Sequence, residues 1–367
     1  MPKYIISGGG TGGHIFPAIS IANALKECQS DAEILFVGAQ GRMEMERVPQ
    51  AGYQIQGLPV SGFDRKNILK NIKVLFNLQK SISMARKIVK GFQPDVAVGV
   101  GGYASAPTLR AAAAVGIPTV ILEPNSYAGV ANKMLAKNVS VICVAYKGME
   151  KFFPIEKIVK TGSPVRQNLF DVEPKANEAY EFFGFSTEKK TLLIVGGSLG
   201  AKTINDSVIK SLPTLLSANI QIIWQTGKLY FQNAKKTTEE FSQNTNLLVT
   251  DFVSRMDFAY SVADLVISRA GASSISEFCL LKKPVILVPS PNVAEDHQTK
   301  NALALVKGNA AVLVPDKEAQ NMLITTALDL ISNNKNLESL SDNIAKFAEP
   351  NSAERIVEVI IRLQKKN

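Results

Sequence analysis

Residues 4–14 read Tyr-Ile-Ile-Ser-Gly-Gly-Gly-Thr-Gly-Gly-His, and residues 192–201 read Leu-Leu-Ile-Val-Gly-Gly-Ser-Leu-Gly-Ala. Each is a short apolar strand, a glycine turn and the opening of a helical pattern. Glycines let the backbone approach a ligand closely, and the N–H groups at a helix start favour an anion. The recurrence is a weak internal repeat of one architectural unit. Working outward, Tyr4–Ser7, Glu33–Val37, Val96–Gly99, Thr119–Leu122 and Val141–Val144 read as buried strands of the first half. Thr191–Val195, Ile220–Gln225, Leu247–Thr250, Leu265–Ser268 and Val285–Val288 do so in the second. Nearly continuous apolar strands alternating with helical stretches predict parallel sheets covered on both faces. The fold class is therefore α/β, with two doubly wound domains. A chain of 367 residues is long enough to divide its core in this way. Turn formers cluster at Thr161-Gly162-Ser163-Pro164, so domains over 1–163 and 164–350 are expected. The amphipathic pattern Ala353–Leu363, within a final segment 351–367, is expected to cross back to the first domain.

Composition narrows the class. Hydrophobic residues are 46% and charged ones 20%, which excludes wholesale disorder. Cys28, Cys143 and Cys279 are too scattered for a disulfide framework or a zinc site and read as core residues of a reducing compartment. The chain enters a strand directly after Met-Pro-Lys, so no signal peptide is read. The longest apolar stretch, Ala111 to Leu122, is too short for a bilayer and is interrupted by Gly116 and Pro118. A soluble or peripheral cytoplasmic protein is expected. The net charge of +9 is unevenly placed. Residues 1–165 hold 19 Lys and Arg against 10 Asp and Glu, whereas residues 166–367 hold 22 of each. Arg65 to Lys90 carries eight bases and no acid, in a helical pattern with an apolar stripe at Ile68, Ile72, Leu75 and Phe76 and with Leu69 beside it. Such a helix reads either as a solvated basic face or as an attachment to anionic lipid, with Lys66, Lys70 and Lys73 flanking the stripe.

Five glycines in six residues, Gly8 to Gly13, exceed what a tight turn needs, so the first loop reads as a ligand cradle. His14 follows it at the helix start and is a candidate general base. Gly99-Val100-Gly101-Gly102-Tyr103-Ala104-Ser105 is a second glycine loop on the same sheet edge, and two such loops suggest a divided site for a large anionic ligand such as a diphosphate. In the second half, Ser198 offers a hydroxyl beside N–H groups that would face a phosphate. Small residues after Ser268 allow close approach, and Glu277 in the helix they start has the acceptors that a ribose diol requires. The structural alternative for Glu277 is a first-turn acid complementing the helix dipole. The segment from Asp296 to Ala302 follows a polar loop suited to sugar hydroxyls. No metal-ligand spacing is present. An NAD-type site is disfavoured, because strand Ile34–Val37 ends in Gly38-Ala39-Gln40 without the ribose-binding acid. A nucleic-acid binder is disfavoured because no aromatic stacking pattern accompanies the bases.

Taken in order, Gly-Gly-Thr-Gly-Gly-His at 9–14, Gly-Gly-Tyr-x-Ser-x-Pro at 101–107, Gly-Ser-Pro-Val-Arg at 162–166, Gly-Gly-Ser-x-Gly-Ala at 196–201, and Ser-x-x-x-Ser-Glu with Gln-x-x-Asn-Ala downstream resemble the MurG family. These bacterial transferases add N-acetylglucosamine to lipid I to make lipid II in peptidoglycan synthesis. The resemblance implies a GT-B fold, two Rossmann-like domains around a cleft, and an inverting reaction that needs no metal or other cofactor. It implies that UDP-N-acetylglucosamine meets Thr11, Gly12, Gly13, Asn125 and Arg166 from the first domain. From the second it would meet Ser198, Val253, Ala272, Ser273, Ser274, Ile275, Ser276, Glu277 and Gln298. Gly9, Gly10, Gly101, Gly102, Tyr103 and Ser105 would serve the diphosphate of lipid I, with His14 as base. Anionic membrane lipid becomes the expected partner of the basic helix, at the cytoplasmic face of the cell membrane. Cell-wall synthesis proteins become further candidate partners, and nucleic acid does not. Two departures stand out: Leu122 and Pro124 replace a common His and Gln, and Leu199 replaces a common Gln. Another GT-B enzyme acting on a UDP-sugar, such as a UDP-N-acetylglucosamine epimerase, is the alternative.

Overall fold

The computed structural model describes residues 1–60, 68–197 and 199–365, and their side chains other than those of 68–75 and 294. The chain forms two compact units, Met1–Arg166 with Glu349–Asn367, and Gln167–Ala348.

In the first unit, β1 (Lys3–Ser7), β2 (Glu33–Ala39), β3 (Gln54–Leu58), β4 (Val96–Gly99), β5 (Thr119–Glu123), β6 (Val141–Val144) and β7 (Ile158–Lys160) form one sheet. Its order is β3-β2-β1-β4-β5-β6-β7, and every pair is parallel. In the second, β8 (Thr191–Val195), β9 (Gln221–Gln225), β10 (Leu247–Thr250), β11 (Leu265–Ser268), β12 (Val285–Leu287) and β13 (Val312–Leu313) are ordered β10-β9-β8-β11-β12-β13, again all parallel. Each sheet reverses direction beside its first strand, between β1 and β4 and between β8 and β11. The carboxyl ends of the strands at such a switch point are the usual ligand position in sheets of this kind.

The ten strands read from the sequence all form. Three further strands, β3, β7 and β13, lie at sheet edges. An edge strand buries less of its surface, so selection for apolar residues is weak. Gln54–Leu58 accordingly alternates exposed and half-buried positions instead of forming an apolar run.

The helix Ser352–Gln364 belongs to the first unit. Ile356, Val357 and Ile360 are buried in the same apolar cluster as Ile15 and Ile21 of the helix Gly12–Cys28. Each such side chain contributes about 1.5–3 kcal/mol when fully buried. Polar contacts fix the return. Arg355 donates from Nε to the Thr161 carbonyl at 3.1 Å and pairs with Glu349 at 2.7 Å. Gly162 adopts φ +85°, and a Cβ there would lie 2.3 Å from Ser352 Oγ.

Candidate functional site

In the first unit, β1 and β4 end in register, Ser7 beside Gly99, so the two glycine loops start side by side. They then pack backbone against backbone. A Cβ at Gly102 would lie 2.4 Å from the Gly9 carbonyl oxygen, and one at Gly8 would lie 2.2 Å from Val100 Cγ2. Ser105 ties both loops to the sheet by donating to the carbonyls of Ser7 (2.7 Å) and Gly101 (2.8 Å). It is buried, so its hydroxyl is spent on the scaffold. Tyr103 is exposed on the second loop. Thr11 caps the helix Gly12–Cys28 with extended backbone, which places Gly12, Gly13 and His14 in its first turn.

His14 Nδ1 lies 3.0 Å from the Gly9 carbonyl oxygen. A carbonyl can only accept, so Nδ1 carries the proton in this contact, and a neutral ring then holds its lone pair at Nε2. The ring edge faces the second loop, where a Cβ at Gly101 would lie 2.7 Å from Nε2. Arg166 stacks over Phe16, two residues beyond His14, at 5.1 Å.

Asn125 follows β5, the next strand of the sheet. Its amide N–H and its Nδ2 each donate to Glu123 Oε1 at 3.1 Å. Glu123 is buried and also accepts from Gly129 N–H (2.7 Å) and Asn132 Nδ2 (2.9 Å). Four donors satisfy a carboxylate that would otherwise be costly to bury. Leu122 and Pro124 are both buried, Leu122 within the apolar cluster under the helix Gly12–Cys28.

In the second unit, the loop Gly196–Gly200 leads into the helix Lys202–Lys210. Ser198 lies outside the described residues. Gly197 and Gly200 adopt φ of +78° and +81°, and a Cβ at Gly200 would lie 2.4 Å from the Thr226 carbonyl oxygen. Buried Gln225 clamps the loop, accepting from Gly197 N–H at 3.1 Å and donating to the Gly197 carbonyl at 3.0 Å. A cavity of about 440 Å³ opens here, lined among others by Gly196, Gly197, Lys202, Arg269, Ser290 and Gln298. Gln298 accepts from Ser290 N–H at 2.8 Å. Arg269 donates to the carbonyls of Val288 and Pro289 and pairs with Asp316, to which Thr203 also donates at 3.0 Å. That network joins the loop after β12 to the helix Lys202–Lys210.

Ala272, Ser273, Ser274, Ile275, Ser276 and Glu277 form the start of the helix Ala272–Leu280, which follows β11 beside β8. Ala272, Ile275 and Val253 are buried, and Ser276 donates back to the Ala272 carbonyl at 3.1 Å. Glu277 stands in the second turn, not the first, so complementing the dipole does not account for it. It is only 6% exposed, and Tyr260 donates to its Oε2 at 2.7 Å.

Of the basic helix, Ile68–Phe92 is helical. Lys66, and the side chains of Ile68, Leu69, Lys70, Ile72, Lys73 and Leu75, lie outside what is described. Beyond them Ala85 and Val89 are buried while Lys80, Arg86, Lys87 and Lys90 are exposed. Phe76 is 73% exposed, a large apolar side chain in water. No helix among the described residues is long and apolar enough to cross a membrane. Nor do they contain a group of three or more His, Cys, Asp or Glu that could hold a metal ion.

Sequence reasoning missed Glu44, Glu123, Gln225, Tyr260 and Arg269. Glu44 and Gln225 hold glycine-loop N–H groups, Tyr260 holds Glu277 and Arg269 holds the loop after β12, all from 17 or more residues away, whereas Glu123 meets Asn125 two residues on. Only a polar residue inside an otherwise apolar pattern could have hinted at them.

Two parallel-sheet Rossmann-like units, each with a glycine loop at its switch point, are the architecture of the GT-B class. Residues 4–144 match the glycosyltransferase family 28 N-terminal domain, and residues 191–356 match the family's C-terminal domain. The chain belongs to glycosyltransferase family 28. It is 60% identical, over 99% of both chains, to the UDP-N-acetylglucosamine–N-acetylmuramyl-(pentapeptide) pyrophosphoryl-undecaprenol N-acetylglucosamine transferase of Parabacteroides distasonis. The crystal structure of Acinetobacter baumannii MurG is similar at TM-score 0.74 and 26% identity, over 99% of this chain and 100% of that one. The UDP-GlcNAc 2-epimerase of Neisseria meningitidis, bound to UDP-GlcNAc, shares the fold at TM-score 0.68 and 15% identity, over 99% and 100% of the two chains.

Proposed function

We infer that the chain transfers N-acetylglucosamine from UDP-N-acetylglucosamine to the 4-hydroxyl of the muramyl sugar of lipid I, giving lipid II for peptidoglycan synthesis. The observation that carries this is the 60% identity to the P. distasonis transferase over essentially the whole of both chains. The acceptor hydroxyl attacks the anomeric carbon from the face opposite UDP, so the C–O bond to the diphosphate breaks as the new glycosidic bond forms. His14 takes the hydroxyl proton at Nε2. The leaving UDP gathers negative charge, which the N-terminus of the helix Lys202–Lys210 and the N–H groups of the Gly196–Gly200 loop stabilise without a metal. Glu277 holds the ribose, Gln298 the sugar, and Asn125 and Arg166 complete the donor site. The paired loops Gly9–Gly13 and Gly101–Ser105 hold the acceptor's diphosphate through backbone N–H groups other than that of Gly10, which donates to Glu44, since Ser105 itself is committed to the scaffold.

The basic helix docks the first unit on anionic lipid at the cytoplasmic face of the cell membrane, where lipid I is reached. The exposure of Phe76 beside a basic face supports this. The product feeds cell-wall assembly, and with it cell shape and division, alongside other cell-wall synthesis proteins.

Incubation with labelled UDP-N-acetylglucosamine and a lipid I analogue tests the reaction. A disaccharide product is expected, and release of free sugar or its 2-epimer without one would overturn it in favour of a hydrolase or epimerase. His14→Ala should depress turnover by about 10²–10⁴-fold with donor affinity nearly unchanged. Changing Lys66, Lys70 and Lys73 to Glu should weaken salt-sensitive binding to anionic vesicles, and unaltered binding would refute docking through this helix.

A further inference from the structure

The peptide group between Gly9 and Gly10 is held at both ends. Its N–H donates to Glu44 Oε2 at 2.7 Å, and its carbonyl accepts from His14 Nδ1 across 3.0 Å. The other Glu44 oxygen accepts from Ala39 N–H at 2.9 Å. Glu44 is 1% exposed on the first turn of the helix Glu44–Gln50. Its place exists because two neighbours lack side chains. A Cβ at Gly9 would lie 2.1 Å from Glu44 Cδ, and one at Gly38 would lie 2.6 Å from its Cγ. A carboxylate, a peptide and an imidazole therefore stand in one hydrogen-bonded series.

We propose that Glu44 is a positioning residue for His14, acting through the Gly9–Gly10 peptide to hold the Nδ1–H tautomer and to stabilise the imidazolium formed when Nε2 takes a proton. Hydrogen bonds in series polarise one another. A negative charge at the N–H end makes the carbonyl oxygen a stronger acceptor and tightens its hold on Nδ1–H. The arrangement does what a carboxylate bonded directly to histidine does in other sites, with a peptide interposed. The charge sits roughly 7–8 Å from the ring, and at an effective dielectric of ~20–40 it raises the imidazole's affinity for a proton by about one pH unit. The glycines of this loop thus have two uses: close approach to a ligand, and room for the carboxylate behind it.

Other ionisable groups around this helix are Tyr103 on the facing loop, Arg166 over Phe16, Glu46 and Arg47 beyond Glu44, and Arg355, tied to Glu349, on the C-terminal helix. They bear equally on the wild type and on Glu44→Gln, so the difference between the two isolates Glu44.

The role rests on His14 being the base, and the experiment separates the two ideas. The chain has two histidines, His14 and His297, so ¹⁵N spectra of the full-length protein resolve both imidazoles, assigned with His14→Ala. In the wild type, neutral His14 should be protonated at Nδ1. In Glu44→Gln its titration should fall by about one pH unit while that of His297 stays put. A neutral His14 protonated at Nε2, which needs no variant to observe, or a titration unmoved in Glu44→Gln, overturns the proposal. Kinetically, Glu44→Gln should lower kcat about tenfold, leave KM for UDP-N-acetylglucosamine within twofold, and move the acidic limb of kcat/KM down by the same pH interval. It should cost nothing further in the His14→Ala background, and full additivity there overturns the relay. Near-normal turnover by His14→Ala alone would remove His14 as base, while the ¹⁵N result would still decide whether Glu44 sets its tautomer.

Discussion

Gly10 and Gly102 offer a controlled pair of substitutions. Both adopt left-handed backbone, φ +88° and +84°. A Cβ at Gly10 would meet nothing within 4 Å, whereas one at Gly102 would lie 2.4 Å from the Gly9 carbonyl oxygen and 2.9 Å from its nitrogen. Gly10→Ala therefore measures backbone strain alone, about 1–2 kcal/mol. Gly102→Ala carries the same strain and a collision with main chain that cannot rotate away. Reaching an ordinary contact of about 3.5 Å requires the loops to part by roughly 1 Å. Overpacking of this kind adds about 1–3 kcal/mol. Calorimetric unfolding of the full-length variants should thus rank wild type, Gly10→Ala and Gly102→Ala in falling order, with the last two separated by at least ~1 kcal/mol. The same 1 Å displacement, falling beside His14, should lower turnover by on the order of 10²-fold. Equal destabilisation by the two variants would refute backbone contact between the loops.

Lys283 is buried, donating to the Ala263 carbonyl at 3.0 Å; burial foremost, then Lys175, pull its pKa from 10.5 down to about 8 against the opposing pull of Asp264. Between those values the unfolded chain holds the proton and the folded one does not, so stability should rise with pH from about 8 to 10.5. The penalty below pH 8 is roughly 3 kcal/mol, and Lys283→Met should remove both most of it and the slope in pH-dependent unfolding. Tyr260→Phe keeps the ring against Phe278 but deletes the donor to Glu277, so KM for UDP-N-acetylglucosamine should rise about fivefold with kcat little changed; an unmoved KM would mean that Tyr260 does not orient Glu277. Burial pushes the Cys143 and Cys279 thiols up to about 12, whereas Cys28 is exposed, so a maleimide should label one thiol in the folded protein and three after denaturation, by mass spectrometry.

The central strands were legible because burial on both faces leaves almost only apolar residues, as in Leu192–Val195. The glycine loops were legible because close backbone approach admits no substitute at positions such as Gly102 and Gly200. What supports those loops was not. Glu44 meets Gly10 from 34 residues away, and Gln225 meets Gly197 from 28. In a string of letters, Glu44 in Arg42-Met43-Glu44-Met45-Glu46 is indistinguishable from its solvent-facing neighbour Glu46. Glu277 stood out only because small residues surround it, and its place in the second turn, against Tyr260, was not foreseeable.

The amino-acid order by itself determined the fold class, the repeated strand–turn–helix unit and the location of the glycine loops, because hydrophobic period and glycine placement are local properties. Only the tertiary structure decided what each polar group does. It turned Ser105 from a ligand group into a strut, paired the two loops of the first unit, and put a buried carboxylate behind the peptide that holds His14. Those outcomes depend on which distant atoms share a low-dielectric interior, where an unmet hydrogen bond is costly and a met one fixes geometry, and no local pattern encodes that.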